Sequence, residues 1–332
     1  MRKSSVTQAP TTKQLLPHKK VEEKIENATS VTILSHVNPD ADALGTALGI
    51  YVLLKYNANV KVEVVNASNI LPKYLDFLPY FHKIKKHINY ADSLIISCDC
   101  ASVDRLGFEL KHRDIINIDH HESNTMFGNI NVVLDKYASS SHVAFRLFEK
   151  IYTINKDAAT CFYAALLSDT RHFTTRSVDY EVFSVAKVLV ENGAKPDEIA
   201  SKMTQRKSLA SMRILEKALA SLSFYNDAKV AVLTVSQEEI LQTGANVPDM
   251  EGIVEFAAAL VTVEMAIFAM ELKDSVRISL RSKGIDVSKI AKSLGGGGHR
   301  LAAGFSINGG NLEESIETTL AKVKMLESLS NL

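Results

Sequence analysis

The sequence has few cysteines, no net charge and no uninterrupted apolar span, and each lack excludes a class of protein. Three cysteines are too few for a disulfide framework, and the polar start shows no secretory hydrophobic segment. The chain has 38 basic and 38 acidic residues, so its net charge does not favour binding to a long polyanion. A nucleic-acid ligand would have to be short or bound at a local site. The longest apolar stretch, 252–270, is broken by two glutamates, and no membrane span is predicted. We therefore expect a cytoplasmic protein with no membrane partner.

Short runs rich in valine and isoleucine alternate with helix-like segments in the first 191 residues. Because strands covered on both faces are apolar without alternation, five runs predict a mainly parallel sheet: 31–35, 60–65, 94–97, 115–118 and 130–133. Helices that flank this sheet are predicted at 43–55, 140–152, 157–167 and 180–191.

A polar, partly basic stretch at 201–211 separates this pattern from a second one. After it, strands are predicted at 230–235, 264–272 and 276–280, and helices at 248–259, 285–294 and 312–329. The sequence therefore predicts an α/β protein in four parts: a loose lead-in over 1–18, a first domain over 19–195, a linker over 196–215, and a smaller α/β domain with a mixed sheet over 216–332.

Three potential metal ligands follow the first predicted strand directly. His36, Asp40 and Asp42 lie in a seven-residue segment that contains the turn-forming sequence Asn-Pro-Asp and leads into a helix. In parallel α/β sheets, ligands bind where the carboxyl ends of the strands emerge. Imidazole nitrogen combined with carboxylate oxygen suits Mn²⁺, Fe²⁺, Co²⁺ or Zn²⁺ better than Ca²⁺. The alternative is that both aspartates only cap the helix.

Asp99 ends another predicted strand and is flanked by Cys98 and Cys100. It is either a metal ligand or a group that caps the following turn. A single Cys-x-Cys pair is a weak zinc signal, so the cysteines are interpreted as small core residues. Asp104 and Arg105, further along, are interpreted as a surface or supporting pair.

Asp119, His120 and His121 follow the strand predicted at 115–118 without a break. Successive side chains of a strand point to opposite sides, so the three cannot all bind one ion in regular geometry. The sequence predicts a division of roles, in which one histidine binds metal, the other faces the substrate and the aspartate orients them.

The fourth segment with a carboxylate is the end of an apolar helix, where Asp169 emerges. Arg171, His172 and Arg176 follow and would bring hydrogen-bond donors and positive charge next to it, as in a phosphate-binding loop. A basic surface loop is the alternative. Together, the four segments supply enough nitrogen and oxygen ligands for two divalent ions, which suits the hydrolysis of a phosphoester.

The order of these motifs resembles that of the DHH phosphoesterase superfamily. The matching residues are His36, Asp40, Asp42, Asp99, Asp119, His120, His121 and Asp169. The segment 296–304, Gly-Gly-Gly-His-Arg-Leu-Ala-Ala-Gly, resembles the signature of the DHH-associated C-terminal domain. Within the superfamily, the length, the first motif and the two-domain layout are similar to the nanoRNase/pAp phosphatase group, where pAp is 3′-phosphoadenosine 5′-phosphate. The resemblance thus implies a DHH catalytic domain over 19–195 and a substrate-binding domain over 216–332.

The resemblance also implies two divalent ions, with Mn²⁺ as the expected metal. One ion would be held by His36, Asp40 and Asp99. The other would share Asp99 and complete its ligand set as follows: Asp42, Asp99, His120 and Asp169. His121 would face the scissile phosphate and Asp119 would support the histidine pair.

In the second domain, the resemblance implies a clamp for the substrate. Backbone without side chains can approach a phosphate, which fits four consecutive residues: Gly296, Gly297, Gly298 and His299. Arg281 and Ser282 resemble the position that grips a terminal phosphate or base. The alternative for the glycine run is a flexible turn.

Two positions depart from the family pattern. Arg171 stands where related enzymes usually carry glycine, and it would narrow the pocket or add a phosphate contact, as would His172 beside it. His142 and Val143 occupy a stretch where the family often has an acidic residue. Neither departure affects a proposed ligand, so both bear on substrate preference.

The implied activity is hydrolysis of short RNA or DNA oligonucleotides and dinucleotides, of pAp, or of both. A cyclic-di-AMP or linear-dinucleotide phosphodiesterase would use the same motifs. A RecJ-like exonuclease is expected to be longer and to have a basic groove, and a related inorganic pyrophosphatase is expected to have a different second domain. A non-catalytic nucleotide sensor is the alternative from another class. The oligomeric state stays open, with a homodimer as one option.

Overall fold

The computed structural model describes residues 16–330. Most of the lead-in predicted over 1–18 therefore lies outside the described residues. The first helix, α1 (His18–Glu26), buries Val21 and Ile25 in the core of the first sheet.

The first sheet is formed by β1 (Ser30–Ser35), β2 (Lys61–Val65), β3 (Leu94–Cys98), β4 (Ile115–Asp119) and β5 (Ile130–Val133). Its order is β2-β1-β3-β4-β5, and every pairing is parallel. All five predicted runs are strands, so the expected parallel sheet is confirmed. The helices of this half are α2 (Ala41–Asn57), α3 (Ser140–Phe148), α4 (Lys156–Asp169), α5 (Tyr180–Glu191) and α6 (Pro196–Thr204).

Close packing of α2 on α4 brings the start of one helix next to the end of the other. A Cβ atom at Gly45 would lie 2.7 Å from the Cys161 carbonyl oxygen, and one at Gly49 would overlap the Phe162 ring. Only glycine allows this approach. As a result, Asp42 in the first turn of α2 lies near Asp169 at the end of α4.

The hydrophobic core changes between α6 and α7 (Leu209–Ala220). Ile199 of α6 belongs to the core of the first sheet, whereas Ile214 and Ala218 of α7 belong to the second. Arg206, between the helices, forms an ion pair with Asp76 at 2.7 Å. The division of the chain into domains at 196–215 stays a prediction.

The second sheet is formed by β6 (Ser223–Tyr225), β7 (Val230–Val235), β8 (Met265–Glu271), β9 (Ser275–Ser282), β10 (Gly297–His299) and β11 (Ala302–Asn308). Its order is β10-β11-β9-β8-β7-β6. Among the described strands of this second sheet, only β7 and β8 pair in parallel, so the predicted mixed sheet is confirmed. The remaining helices are α8 (Gln237–Thr243), α9 (Ile253–Ala258), α10 (Val287–Ser293) and α11 (Leu312–Ser330).

The structure departs from the expected elements in the second half. The helix predicted over 248–259 is divided into a 3₁₀ turn (Val247–Met250) and α9, because Gly252 adopts a left-handed conformation with φ 83°. The short elements β6 and α8 were not predicted, and neither were β10 and β11, whose glycines and alanines do not resemble a strand. Across residues 16–330, no helix combines the length and the apolar composition needed to cross a bilayer.

Candidate metal centre

The carboxyl edge of the first sheet gathers the His and Asp residues that sequence analysis selected. His36 follows β1, Asp99 follows β3, and Asp119 ends β4. These three strands are neighbours in the sheet, so their ends meet at one place. All three residues are buried.

His36 and His120 both face the carboxylates with Nε2. Nδ1 of His36 lies 2.9 Å from the Val37 carbonyl oxygen and Nδ1 of His120 lies 3.2 Å from that of Tyr137. A carbonyl only accepts, so each Nδ1 carries the proton and donates it. Nε2 is therefore the ring nitrogen that both residues turn to the carboxylates. It faces Asp99 Oδ2 at 3.6 Å from His36, and Asp169 Oδ2 at 3.3 Å from His120.

Among the four sets of potential ligand atoms in the described residues, two contain the residues expected to bind the two ions. His36, Asp40 and Asp99 form one set, in which all three ligand atoms lie within 4.8 Å of one another. The same criterion joins a second set: Asp42, His120 and Asp169. Oδ1 of Asp99 lies 3.8 Å from Nε2 of His120, so Asp99 adjoins both sets. Asp40 also caps α2 by accepting from the Ala43 amide at 3.0 Å. One residue can therefore both cap the helix and belong to the ligand set.

Backbone and hydroxyl donors at the start of α3 hold the carboxylates in place. Asp42 accepts from the amides of Ser140 at 2.7 Å and Ser141 at 3.1 Å. The Ser140 hydroxyl donates to Asp99 at 2.9 Å. Ser140 is not among the residues that the sequence motifs predict for the site. Ser140 directly follows Ser139, which caps α3, and this position at the start of a helix could have indicated it from the sequence.

The carboxylates differ in how readily they ionise. Burial raises the pKa of Asp169 to about 6, and burial with the charge of Asp99 raises the pKa of Asp42 well above its ordinary value. Burial also opposes ionisation of Asp99, but His36 and His121 outweigh it and lower its pKa. Buried carboxylates that repel one another are stabilised by a cation, so the electrostatics favour metal binding.

Asp119 holds His121 in a charged form. Nδ1 of His121 donates to Asp119 Oδ1 at 2.7 Å, and the same oxygen accepts from the His120 amide at 2.8 Å. Burial opposes charging of His121, but Asp119 outweighs it and raises the pKa of His121 to about 9. Asn124, which sequence analysis missed, donates to the other Asp119 oxygen. His121 is therefore an imidazolium at neutral pH.

The second domain covers this centre with His299. The His299 ring lies 4.6 Å from that of His121 and 4.9 Å from that of His120, measured between centroids. Burial and the two neighbouring histidines lower the pKa of His299 to about 3, so it is neutral. The preceding glycines form β10, which pairs with β11. A Cβ atom at Gly298 would lie 2.6 Å from the Ala302 carbonyl oxygen, so the segment is a close-packed strand instead of a flexible turn.

Arg281 and Arg171 meet on one oxygen of Glu255. Arg281 Nε donates to Glu255 Oε1 at 2.7 Å, and Arg171 Nη2 lies 3.4 Å from the same atom. Arg171 has φ 46°, a left-handed conformation that suits the glycine usual in the family. Ser282 accepts from the amides of Gly284 and Ile285 and so stabilises the turn after β9.

His172 is exposed, with no side-chain contact to the metal centre within residues 16–330. Its role as a phosphate contact stays a prediction. The ligand and substrate roles proposed for the other residues also stay predictions, although the structure brings the eight His and Asp residues of the first domain and His299 into one cluster.

Comparison with protein families gives two matches along the chain. Residues 30–166 match the N-terminal domain of the DHH family, and residues 211–326 match the DHHA1 domain. The two matched segments contain all the strands described above.

Individual relatives and one solved structure agree with these matches. The chain is 27% identical over 304 residues to the bifunctional oligoribonuclease and PAP phosphatase NrnA of Thermus thermophilus, with 89% of each protein covered. It is 26% identical to the cyclic-di-AMP phosphodiesterase GdpP of Bacillus subtilis, covering 90% of this chain but 48% of GdpP. The structure of an exopolyphosphatase-related protein from Bacteroides fragilis superposes with a TM-score of 0.81 at 27% identity, covering 93% and 97% of the chains. The chain therefore belongs to the DHH family of phosphoesterases and is a hydrolase of that family, built from a DHH domain and a DHHA1 domain.

Proposed function

We propose that the chain hydrolyses short oligonucleotides and dinucleotides to mononucleotides, and pAp to AMP, with two divalent ions, preferably Mn²⁺. The observation that carries this proposal is the pair of ligand sets that adjoin Asp99, covered by His299 from the second domain. The similarity to an oligoribonuclease and PAP phosphatase over 89% of both chains supports the choice of substrates.

The donors fit such ions. His36, Asp40 and Asp99 would hold one ion, and the second would take Asp99 with three more residues: Asp42, His120 and Asp169. The Nε2 atoms of the two histidines and the mutually repelling carboxylates are the ligand atoms that such a site needs to bind cations. Bound there, two ions would supply an activated water and neutralise charge on the phosphoryl oxygens.

His121 would act on the substrate through its proton. It is charged because Asp119 accepts from Nδ1 at 2.7 Å, and Nε2 is then a second donor. A cationic donor beside the scissile phosphate stabilises negative charge that develops in the transition state, and it can protonate the leaving oxygen. His299, stacked on His121, would keep water from that ring and close the centre once a substrate is bound.

A cyclic-di-AMP or linear-dinucleotide phosphodiesterase is the second candidate function. The 26% identity to GdpP over 90% of this chain favours it, although the chain spans about half of that protein. Both functions use the same metal centre, so only the substrate separates them. A non-catalytic nucleotide sensor would bind a nucleotide without turning it over.

The test compares four substrates side by side in the presence of Mn²⁺: pAp, the 5′-phosphorylated dinucleotide pApA, a 24-nucleotide RNA and cyclic di-AMP. Wild type is compared with Asp99→Asn, which removes the shared carboxylate, and with Asp104→Asn, the same change at an exposed residue five positions later. We expect rapid turnover of pApA and pAp by wild type and Asp104→Asn, and a loss of about a hundredfold or more in Asp99→Asn.

Preference for cyclic di-AMP would replace the first proposal by the second. Preference for the long RNA would contradict both. No hydrolysis of any substrate, with nucleotide binding retained, would leave a sensor.

A further inference from the structure

The side-chain amide of Asn124 makes four hydrogen bonds, the full number that an amide can make. Nδ2 donates to Asp119 Oδ2 at 2.5 Å and to the Cys100 carbonyl oxygen at 3.1 Å. Oδ1 accepts from Asn117 Nδ2 at 3.0 Å and from the Met126 amide at 2.7 Å. A carboxylate and a carbonyl only accept, and a backbone amide only donates, so these partners leave the side chain one favoured orientation.

The two acceptors of these Nδ2 hydrogen bonds belong to different parts of the metal centre. Through its other oxygen, Oδ1, Asp119 accepts from Nδ1 of His121 at 2.7 Å. Cys100 directly follows Asp99, which is proposed to bind both ions. Asn124 therefore connects the carboxylate that holds the proposed proton donor with the backbone next to the proposed shared ligand.

Asp119 needs a contact on each oxygen to hold His121 in one orientation. The Cβ–Cγ bond of an aspartate has only a weak torsional preference, so contacts at Oδ1 alone leave the carboxylate free to turn. Within residues 16–330, Oδ2 receives a hydrogen bond from Asn124 alone. This donation stops the rotation and keeps Oδ1 opposite Nδ1 of His121, which fixes the direction of His121 Nε2.

Asn124 also stabilises the loop in which it lies. Its Oδ1 accepts from the amide of Met126, two residues further on, as in an Asx turn. The turn needs only this acceptor oxygen. The Nδ2 donors face Asp119 and Cys100 and add nothing to the turn, so the two sides of the amide can be tested separately.

We propose that Asn124 is a positioning residue, which acts through Asp119 to aim the ring of His121 at the leaving oxygen of the substrate. This inference rests on the proposed function, in which His121 supplies a proton when the phosphoester is cleaved. The proton passes from Nε2 to the leaving oxygen as the P–O bond breaks, and the attacking water supplies the new oxygen on phosphorus. Asn124 is not a proposed ligand, so its replacement should slow this step and leave metal and substrate binding intact.

Two variants separate the positioning role from the turn. Asn124→Asp keeps the acceptor oxygen of the turn, but it replaces the Nδ2 donors by a second oxygen that repels Asp119. Asn124→Ala removes both sides of the amide. The matched control is Asn129→Asp, the same change on the same loop, at an exposed residue whose Oδ1 accepts from the Ile115 amide. If Asn124 served only the turn, Asn124→Asp would behave like wild type.

The kinetic readout compares two substrates that differ in their need for an acid. They are the dinucleotide pApA and the p-nitrophenyl ester of thymidine 5′-monophosphate, whose leaving group departs without a proton. With Mn²⁺, we expect kcat for pApA to fall by about tenfold or more in both Asn124 variants. For the p-nitrophenyl ester we expect kcat within about twofold of wild type, with KM and Mn²⁺ content unchanged. Asn129→Asp is expected to match wild type on both substrates.

A second readout does not depend on turnover. The Nδ1 proton of His121 is followed by NMR in protein labelled with ¹⁵N-histidine, with diamagnetic Mg²⁺ in place of Mn²⁺. His121→Gln assigns the signal, because the signal is missing from that variant. We expect it to shift, or to be lost through faster exchange with water, in both Asn124 variants and to stay unchanged in Asn129→Asp.

An equal loss of kcat on the two esters would overturn the inference, and so would full activity of Asn124→Asp on pApA. An unchanged His121 signal in the Asn124 variants would overturn it in every case. If wild type hydrolyses neither ester but the signal changes in the Asn124 variants, the proposed function is wrong, whereas the hold of Asn124 on His121 stands. Asn124→Asp preserves the size of the side chain and the turn, so it tests the inference even if Asn124→Ala does not fold.

Discussion

The imidazole rings of His121 and His299 stack with centroids 4.6 Å apart and 17° between their planes, although 178 positions separate them in the chain. The first ring is charged because Asp119 raises its pKa to about 9, and the second is neutral because burial lowers its pKa to about 3. The contact joins the cationic group of one domain to the glycine-rich strand of the other. The domains thus meet directly above the metal centre.

Replacement of His120 and replacement of His121 are expected to impair different steps, metal binding in the first case and catalysis in the second. His120→Gln removes a ring nitrogen that faces Asp169 at 3.3 Å, so we expect loss of bound Mn²⁺ and of activity. His121→Gln removes the proposed proton donor, so we expect kcat to fall by about a hundredfold or more with Mn²⁺ content unchanged. Elemental analysis of the purified proteins and steady-state kinetics check both. Loss of Mn²⁺ in both variants would contradict the division of roles.

His142 is expected to make the protein less stable in acid. It is buried, no hydrogen bond from residues 16–330 reaches either ring nitrogen, and burial together with Arg146 lowers its pKa from 6.5 to about 4. The unfolded chain therefore takes up the proton more readily, and the stability due to neutral His142 is present above pH 6.5 and is lost as pH falls towards 4. Between pH 7 and pH 5, the free energy of unfolding of the wild type is expected to fall by roughly 2 kcal/mol because of His142. In His142→Leu this part of the fall is expected to be absent.

Denaturant unfolding at several pH values measures this difference. His87→Leu, the same change at an exposed histidine, serves as the control and is expected to follow wild type. An acid limb of equal slope in His142→Leu and wild type would disprove the prediction.

Adjacent glycines of β10 are expected to tolerate alanine unequally. Gly298 has φ 134°, and its added Cβ atom would lie 2.6 Å from the Ala302 carbonyl oxygen, so Gly298→Ala is expected to lower the free energy of unfolding by roughly 2 kcal/mol or more. Gly297→Ala meets only Ser123 Oγ, at 3.8 Å, and is expected to change it by less than about 1 kcal/mol. Equal losses in the two variants, measured by thermal or urea unfolding, would show that the strand pairing is not rigid.

Arg171 is expected to be a strained position that glycine relieves. It opens three consecutive left-handed residues, with φ values of 46°, 58° and 63° through Phe173. Replacement by glycine is expected to raise the free energy of unfolding by about 1 kcal/mol, because the left-handed backbone is no longer strained. It also removes a partly exposed ion pair to Glu255, which contributes about 0–1 kcal/mol. Arg176→Gly, at an exposed residue with ordinary φ, is expected to lose roughly 0.5–1 kcal/mol. Urea unfolding should therefore find Arg171→Gly the more stable of the two, and the reverse order would contradict the strain.

The first domain and its cluster could be predicted because local patterns determine them. Apolar runs defined the strands, and the rule that parallel strands present ligands at their carboxyl ends placed His36, Asp99 and Asp119 together. The contact of His299 with His121 could not be predicted, because no periodic sequence pattern shows how two domains pack against each other.

The proposed metal ligands all come from residues 36–169, whereas His299 and Arg281 both follow α7. In evolutionary terms, the two segments are free to change at different rates. Under the proposed division of roles, substitutions in the second segment would alter which substrate is held, while the carboxylates and imidazoles of the first stay as they are. The same proposed metal chemistry could then be inherited by descendants with different substrates, and drift in Arg281 or Glu255 would be the first mark of such a change.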